Sequence, residues 1–178
     1  HAKPSRIVQE TKKIYLEEFP DAWNPSIIKA DFGFLMTFRH CLAPTQPWIS
    51  YIGIVKLDNN FNPISRPVLL NTRNDGDMTP SQAEDARIFA FRDKLYVIYN
   101  DNRAIVNPSA KQRRDMYLAE LQETDEGFKL LSPLKITHSK KYNEVTWQKN
   151  WVPFEWNHEL FLDYLREPHE ILSCDLSS

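Results

Sequence analysis

Four consecutive residues, Glu84-Asp85-Ala86-Arg87, set two carboxylates beside a guanidinium at the head of a run rich in β-branched and aromatic side chains. A carboxyl group works in proton transfer when its surroundings keep it protonated near the working pH. Repulsion between Glu84 and Asp85 favours keeping a proton, whereas Arg87 favours losing it. The sequence leaves that balance open. The same residues also fit a turn with a surface ion pair worth about 0–1 kcal/mol. Cations stand at related places: Arg39, Arg87 and Lys149, with Arg166 and His169 a little further on. Arginine's planar fork suits phosphate or carboxylate, and lysine adds a point charge. Taken singly, each of these is a solvated surface charge. Only a fold that gathers them would make a site.

The elements that position them are hairpins. Residues 88–91 run into a polar turn at Arg92-Asp93-Lys94 and climb again through 95–99, a β-hairpin by composition and alternation. The frame recurs: 16 residues from 24–39 lie over 84–99 and over 149–164 without a gap. This alignment puts Leu35, Leu95 and Leu160 in one column and Met36, Tyr96 and Phe161 in the next. Arg39, Tyr99 and Tyr164 close it. Each frame is followed by a further strand-like segment, at 49–57, 115–121 and 169–176. Two hairpins per repeat make a four-stranded antiparallel sheet, the blade of a β-propeller. A β-sandwich with chance similarity between hairpins is the alternative.

The fold class expected is therefore all-β, a single propeller domain over 1–178. Its blades fall at about 24–70, 84–137 and 149–178, after a strand-like piece at 6–19 within an N-terminal segment, 1–23. Residues 111–123 could pass for a helix, and the repeat makes them a strand. The third blade stops before its last strand. Three such sheets do not close a ring, and open edges invite pairing with other chains. The expectation is a fragment, or a chain that self-associates with copies of itself through its blade edges.

Composition narrows the functions. The 178 residues are 42% hydrophobic, enough for a substantial core, and carry a formal net charge of −2. No basic surface or nucleic-acid motif argues for DNA or RNA. No apolar run approaches the roughly 20 residues that span a bilayer. The compartment is left open. Cys41 and Cys174 lack metal-like spacing and read as ordinary strand residues, so no metal is expected. With 4 glycines against 12 prolines, turns must be made by Asn, Asp and Pro, as at Asp58-Asn59-Asn60 and Asn62-Pro63.

These motifs resemble the five-bladed propeller glycosidases and phosphorylases that act on β-mannosides, glycoside hydrolase family 130 and its relatives. The likeness runs through Asn24-Pro25 to Arg39, through Glu84-Asp85-Ala86-Arg87, and through Lys149-Asn150 with Phe154 and Arg166-Glu167-Pro168. There are departures. Ala86 stands where the family has proline, which removes a φ restraint and no chemistry. Gln148 stands where an acid is usual, and Trp151 and Pro168-His169 mark a divergent branch.

The resemblance implies a carbohydrate-active enzyme with Asp85 as the acid that protonates the departing sugar oxygen. It implies that Arg39, Arg87 and Lys149 hold phosphate or a substrate group. Asn24, Glu84, Asn150, Arg166 and His169 are expected to complete the substrate and phosphate subsite. Asp101 would hydrogen-bond sugar hydroxyls or begin a turn, and Trp151 would offer a stacking face. Trp147 and Trp156 are expected to pack between blades. No cofactor is implied beyond inorganic phosphate as a co-substrate, and the partner is an oligosaccharide or glycoside. An inverting hydrolase needs a second carboxylate about 6.5–9.5 Å from the acid, and a phosphorylase does not. The alternatives are a glycosyltransferase on the same scaffold and a non-catalytic propeller that binds glycans or proteins.

Overall fold

A computed structural model describes residues 11–43, 49–74, 77, 80–103, 114–137, 148–166 and 168–176. The regular structure among them is entirely β, in three antiparallel meanders. The first sheet runs β1 (Trp23–Ala30), β2 (Gly33–Ala43), β3 (Ile49–Leu57) and β4 (Val68–Leu69). The second runs β5 (Glu84–Phe91), β6 (Lys94–Asp101), β7 (Asp115–Thr124) and β8 (Gly127–Ile136). The third has three strands, β9 (Val152–Trp156), β10 (Glu159–Arg166) and β11 (His169–Cys174). These are blades of a β-propeller, two with four strands and one with three, as the repeat predicts. The first strands lie side by side, β5 against both β1 and β9.

Turns are closed with few glycines. Arg92 and Asp93 (φ 47° and 59°) join β5 to β6, and Asn157 and His158 (49° and 63°) join β9 to β10. Positive φ at both central residues is the signature of the type I′ turn, whose twist matches that of paired strands. At the base of the first sheet the Asp58 carboxylate accepts the backbone N–H groups of Asn60 and Asn62, both at 2.8 Å. Glycine is kept for places that admit nothing else. At Gly53 a Cβ would stand 2.1 Å from the Phe38 ring.

Two apolar layers bind the blades together. Leu35, Ile52, Ile54 and Leu70 of blade 1 meet Ile88, Val97, Tyr99, Tyr117 and Leu121 of blade 2. Ile98, Met116 and Leu118, from the opposite face of blade 2, meet Trp151 and Leu162 of blade 3. Burying each large side chain is worth about 1.5–3 kcal/mol, so these layers dominate blade docking.

This facing corrects the predicted alignment by one residue. The hairpins pair Ala30 with Gly33, Phe91 with Lys94 and Trp156 with Glu159. Counted from these turns, Leu35 matches Tyr96 and Phe161, not Leu95 and Leu160. The packing agrees, since Leu35 faces blade 2 whereas Leu95 faces back towards blade 1. A one-residue slip reverses every side chain in a strand, which is how two leucines aligned by type fall on opposite faces.

Three further expectations change. The piece at 6–19 is not a strand over its described part, 11–19; it finds no strand to pair with and instead turns, with the Phe19 N–H donating to Leu16 O at 3.1 Å. Leu16 and Phe19 cover the face of blade 1 that carries Met36 and Phe38. Trp151 is only 2% exposed, locked edge-on against Tyr164 in the layer between blades 2 and 3, so it offers no face to a sugar. Trp156, at the end of β9 beside the exposed turn, is 65% exposed and packs between no blades. Trp147 lies outside the described residues.

Candidate active site

The heads of the first strands share an irregularity. Pairing is regular up the β1–β2 hairpin to Ser26 and then jumps to Trp23, and up the β5–β6 hairpin to Arg87 and then jumps to Glu84. A bulge therefore falls at the same column in both blades. Within it Asn24 has φ 47° and Asp85 φ 55°; in the matching column ahead of β9, Asn150 has φ 63°. Asn and Asp are the non-glycine residues that tolerate this left-handed region best. Bulges and such outliers gather where a side chain must be re-aimed, which marks this rim as the candidate site.

The aim is visible across the blade junction. Asn24 Nδ2 donates to Asp85 Oδ1 at 2.5 Å. Arg39, whose backbone pairs with Trp23, reaches over to Glu84 at 2.5 Å and stands 3.7 Å from Asp85 Oδ1. Arg114, just ahead of β7, grips the other Glu84 oxygen at 3.0 Å and donates to Gln82 O at 2.7 Å. Glu84 is thus clamped between two guanidiniums with its side chain 14% exposed, while that of Asp85 is 25% exposed. Both close contacts on Asp85 fall on Oδ1, so Oδ2 is the oxygen presented outwards.

Burial is the largest influence on the clamp. It pushes the Glu84 carboxyl above its ordinary range, with Arg114, Arg39 and Lys149 pulling back and Asp85 adding to the rise. Burial also lowers Arg114, against the attraction of Glu84. Both partners bear a desolvation cost that their attraction only partly offsets. Two buried donors at the clamp, Arg39 Nε and Asn100 Nδ2, have no hydrogen-bond partner among the described residues.

The expected residues divide into four groups. Asn24, Arg39, Glu84 and Asp85 come together, and Lys149 is near enough to act on Glu84, with Asn150 in the same column as Asp85. Arg87 pairs in register with Ile98, on the face of blade 2 that packs against blade 3, and makes no ion pair among the described residues. Asp101 is drawn out of the rim. Its carboxylate is 0% exposed and is taken up by Arg73 at 2.7 and 3.2 Å and by the N–H groups of Gln82 and Asn102, so it braces the chain leading into Ala83 rather than facing a sugar. Burial pushes it above its ordinary range, with Arg73 the main opposing charge. His169 is paired with Asp163 at 3.3 Å, and the Arg166 backbone pairs with His169 at the end of β10; the Arg166 side chain lies outside the described set.

Two rim residues escape a reading by repeats. Arg114 precedes a third strand and belongs to no frame. Its signal is the basic pair Arg113-Arg114 directly before Asp115, which antiparallel pairing places beside Asp101. Trp23 stands one residue ahead of the first frame, with the Arg39 guanidinium 4.5 Å from its ring centre.

No family model and no curated protein matches the chain. Among solved structures it is similar to the alpha-L-arabinofuranosidase from Lactobacillus brevis, with a TM-score of 0.50 and 17% identity over 80% of this chain and 44% of that one. The chain thus spans less than half the length of that structure. The likeness is one of fold. The fold is a β-propeller. Among the described residues no cluster of His, Cys, Asp and Glu could hold a metal ion, and no helix is long and apolar enough to cross a membrane.

Proposed function

We propose that this chain carries the acid-bearing part of a carbohydrate-active enzyme that cleaves glycosides, with Asp85 as proton donor. The observation that carries the reading is Asp85 itself, held in a left-handed bulge at the blade rim with Oδ1 fixed by Asn24 and Oδ2 free to deliver a proton. The arabinofuranosidase fold supports the same substrate class.

The finer reading is phosphorolysis of a β-mannoside. Glu84 and Asp85 both reach one nitrogen of Arg39, which sets them closer than the roughly 6.5–9.5 Å an inverting acid–base pair needs. Glu84 is also bound by Arg114 and does not serve as a base. Phosphate removes the need for one. Its oxygen attacks the anomeric carbon as the C–O bond to the leaving sugar breaks, and the proton from Asp85 Oδ2 goes to the departing oxygen. Sugar 1-phosphate and a free alcohol result, and Asp85 regains its proton from water. Lys149, near enough to act on Glu84, supplies positive charge for the phosphate.

The test is incubation with β-1,4-mannobiose, with and without phosphate, with an α-L-arabinofuranoside run alongside. Phosphate-dependent release of mannose 1-phosphate, lost in Asp85→Asn, is the expected result. Release of free sugar without phosphate makes the enzyme a hydrolase, and transfer from a sugar phosphate to an acceptor makes it a transferase. Binding without turnover makes it a glycan-binding propeller. Turnover unchanged in Asp85→Asn removes Asp85 from the chemistry.

A further inference from the structure

Trp23 is an exposed indole held still. Its residue is 47% exposed although one face of the ring carries the Arg39 guanidinium at 4.5 Å. The guanidinium therefore leaves much of the residue open. Arg39 is in turn fixed to Glu84 at 2.5 Å, and Glu84 to Arg114 at 3.0 Å. The ring is thus backed by a cation that is itself anchored in the neighbouring blade. Ordering an aromatic side chain ordinarily costs binding energy, and here that ordering is built into the free protein. The next residue, Asn24, holds Asp85, and Lys149 occupies the column of Trp23 in blade 3.

A flat apolar face backed by a guanidinium that also stands 3.7 Å from the Asp85 carboxylate matches one chemical class. A pyranose has a C–H-rich face that packs on an aromatic ring, and a rim of hydroxyls that needs donors and acceptors around it. Inorganic phosphate has no use for the indole. We propose that Trp23 is the platform of a sugar-binding subsite beside Asp85, taking the apolar face of the sugar unit next to the scissile bond. This rests on the reading of the rim as a glycoside site and names the residue that recognises the ring.

The experiment compares wild type, Trp23→Ala and Trp23→Phe. Calorimetric titration with β-1,4-mannobiose gives affinity, and saturation-transfer NMR reports which sugar protons approach an aromatic ring. Thermal melts confirm that the variants fold. Trp23→Ala is expected to weaken binding by about tenfold and to abolish transfer to the ring C–H protons, and Trp23→Phe to stay within about threefold of wild type. Wild-type affinity in a folded Trp23→Ala overturns the proposal, and so does a Phe variant as weak as Ala. The outcomes separate it from the catalytic reading. Trp23-dependent binding without turnover supports the platform and sinks the enzyme, whereas turnover with KM unchanged in Trp23→Ala sinks the platform alone.

Discussion

The side-chain amide of Asn24 meets Asp85 Oδ1 at 2.5 Å across the junction between the first two blades. On the proposed reading, one sheet carries the proton donor and its neighbour orients it. Asp85→Asn is expected to lower kcat by about a hundredfold to ten-thousandfold, the usual worth of a positioned acid. Asn24→Ala leaves the carboxyl in place and frees its orientation, so kcat should fall by about tenfold or more with KM less affected. Steady-state rates on the substrate found for wild type check both. An Asn24→Ala enzyme with wild-type kcat would mean the contact orients nothing.

Glu84 ties stability to pH. Burial raises it above its ordinary value of 4.5, so between that value and the folded one the folded state holds a proton that the unfolded chain has released. Its contribution to stability is full below about 4.5 and is lost as pH rises through the folded value. Urea unfolding of wild type should show stability falling with pH in that window, and Glu84→Gln should flatten the fall. Arg114→Leu removes the largest opposing charge and should cost about 3 kcal/mol at neutral pH, recovering towards acid as Glu84 takes up its proton. Equal slopes in all three proteins would remove Glu84 as the source.

Asp101 is a brace. Truncation to Ala strands Arg73 and leaves the N–H groups of Gln82 and Asn102 without their acceptor. The expected cost is about 3–5 kcal/mol by denaturant unfolding. Asp101→Asn keeps an acceptor oxygen and should lose less than half as much. Equal losses would show that charge, not hydrogen bonding, sets the cost.

Gly53 and Phe38 should behave as a coupled pair. A Cβ at position 53 would overlap the Phe38 ring at 2.1–2.7 Å, so Gly53→Ala is expected to cost about 1–3 kcal/mol. Phe38→Leu opens room, and the double variant should be more stable than the sum of the single losses predicts. Strict additivity in chemical denaturation would mean that the ring moves aside freely.

Strand placement was legible because hydrophobic alternation and polar turns are local. The segment expected at 49–57 coincides with β3, and residues 111–123, ambiguous with a helix, contain most of β7. Register was not legible. Aligning leucine with leucine slipped blade 1 by one residue, and only turn pairing and sheet facing show that Asn24, Asp85 and Asn150 share a column. The rim acid and its arginine emerged from the frames, whereas Arg114 and Trp23 did not, because they meet the site only through strand pairing and blade docking. Trp151 misled for a related reason. Its neighbours Lys149 and Asn150 are exposed, and nothing in the residue order shows that the indole turns inward beneath Tyr164.

Because acid and orienting amide ride on different sheets, this protein should lose function before it loses structure. Trimming Leu35 or Val97 would let the sheets shift by a fraction of an ångström while every ladder of backbone bonds stays whole. Circular dichroism would register little, yet the amide would part from its carboxylate, so activity becomes the finer gauge of how tightly the blades are seated.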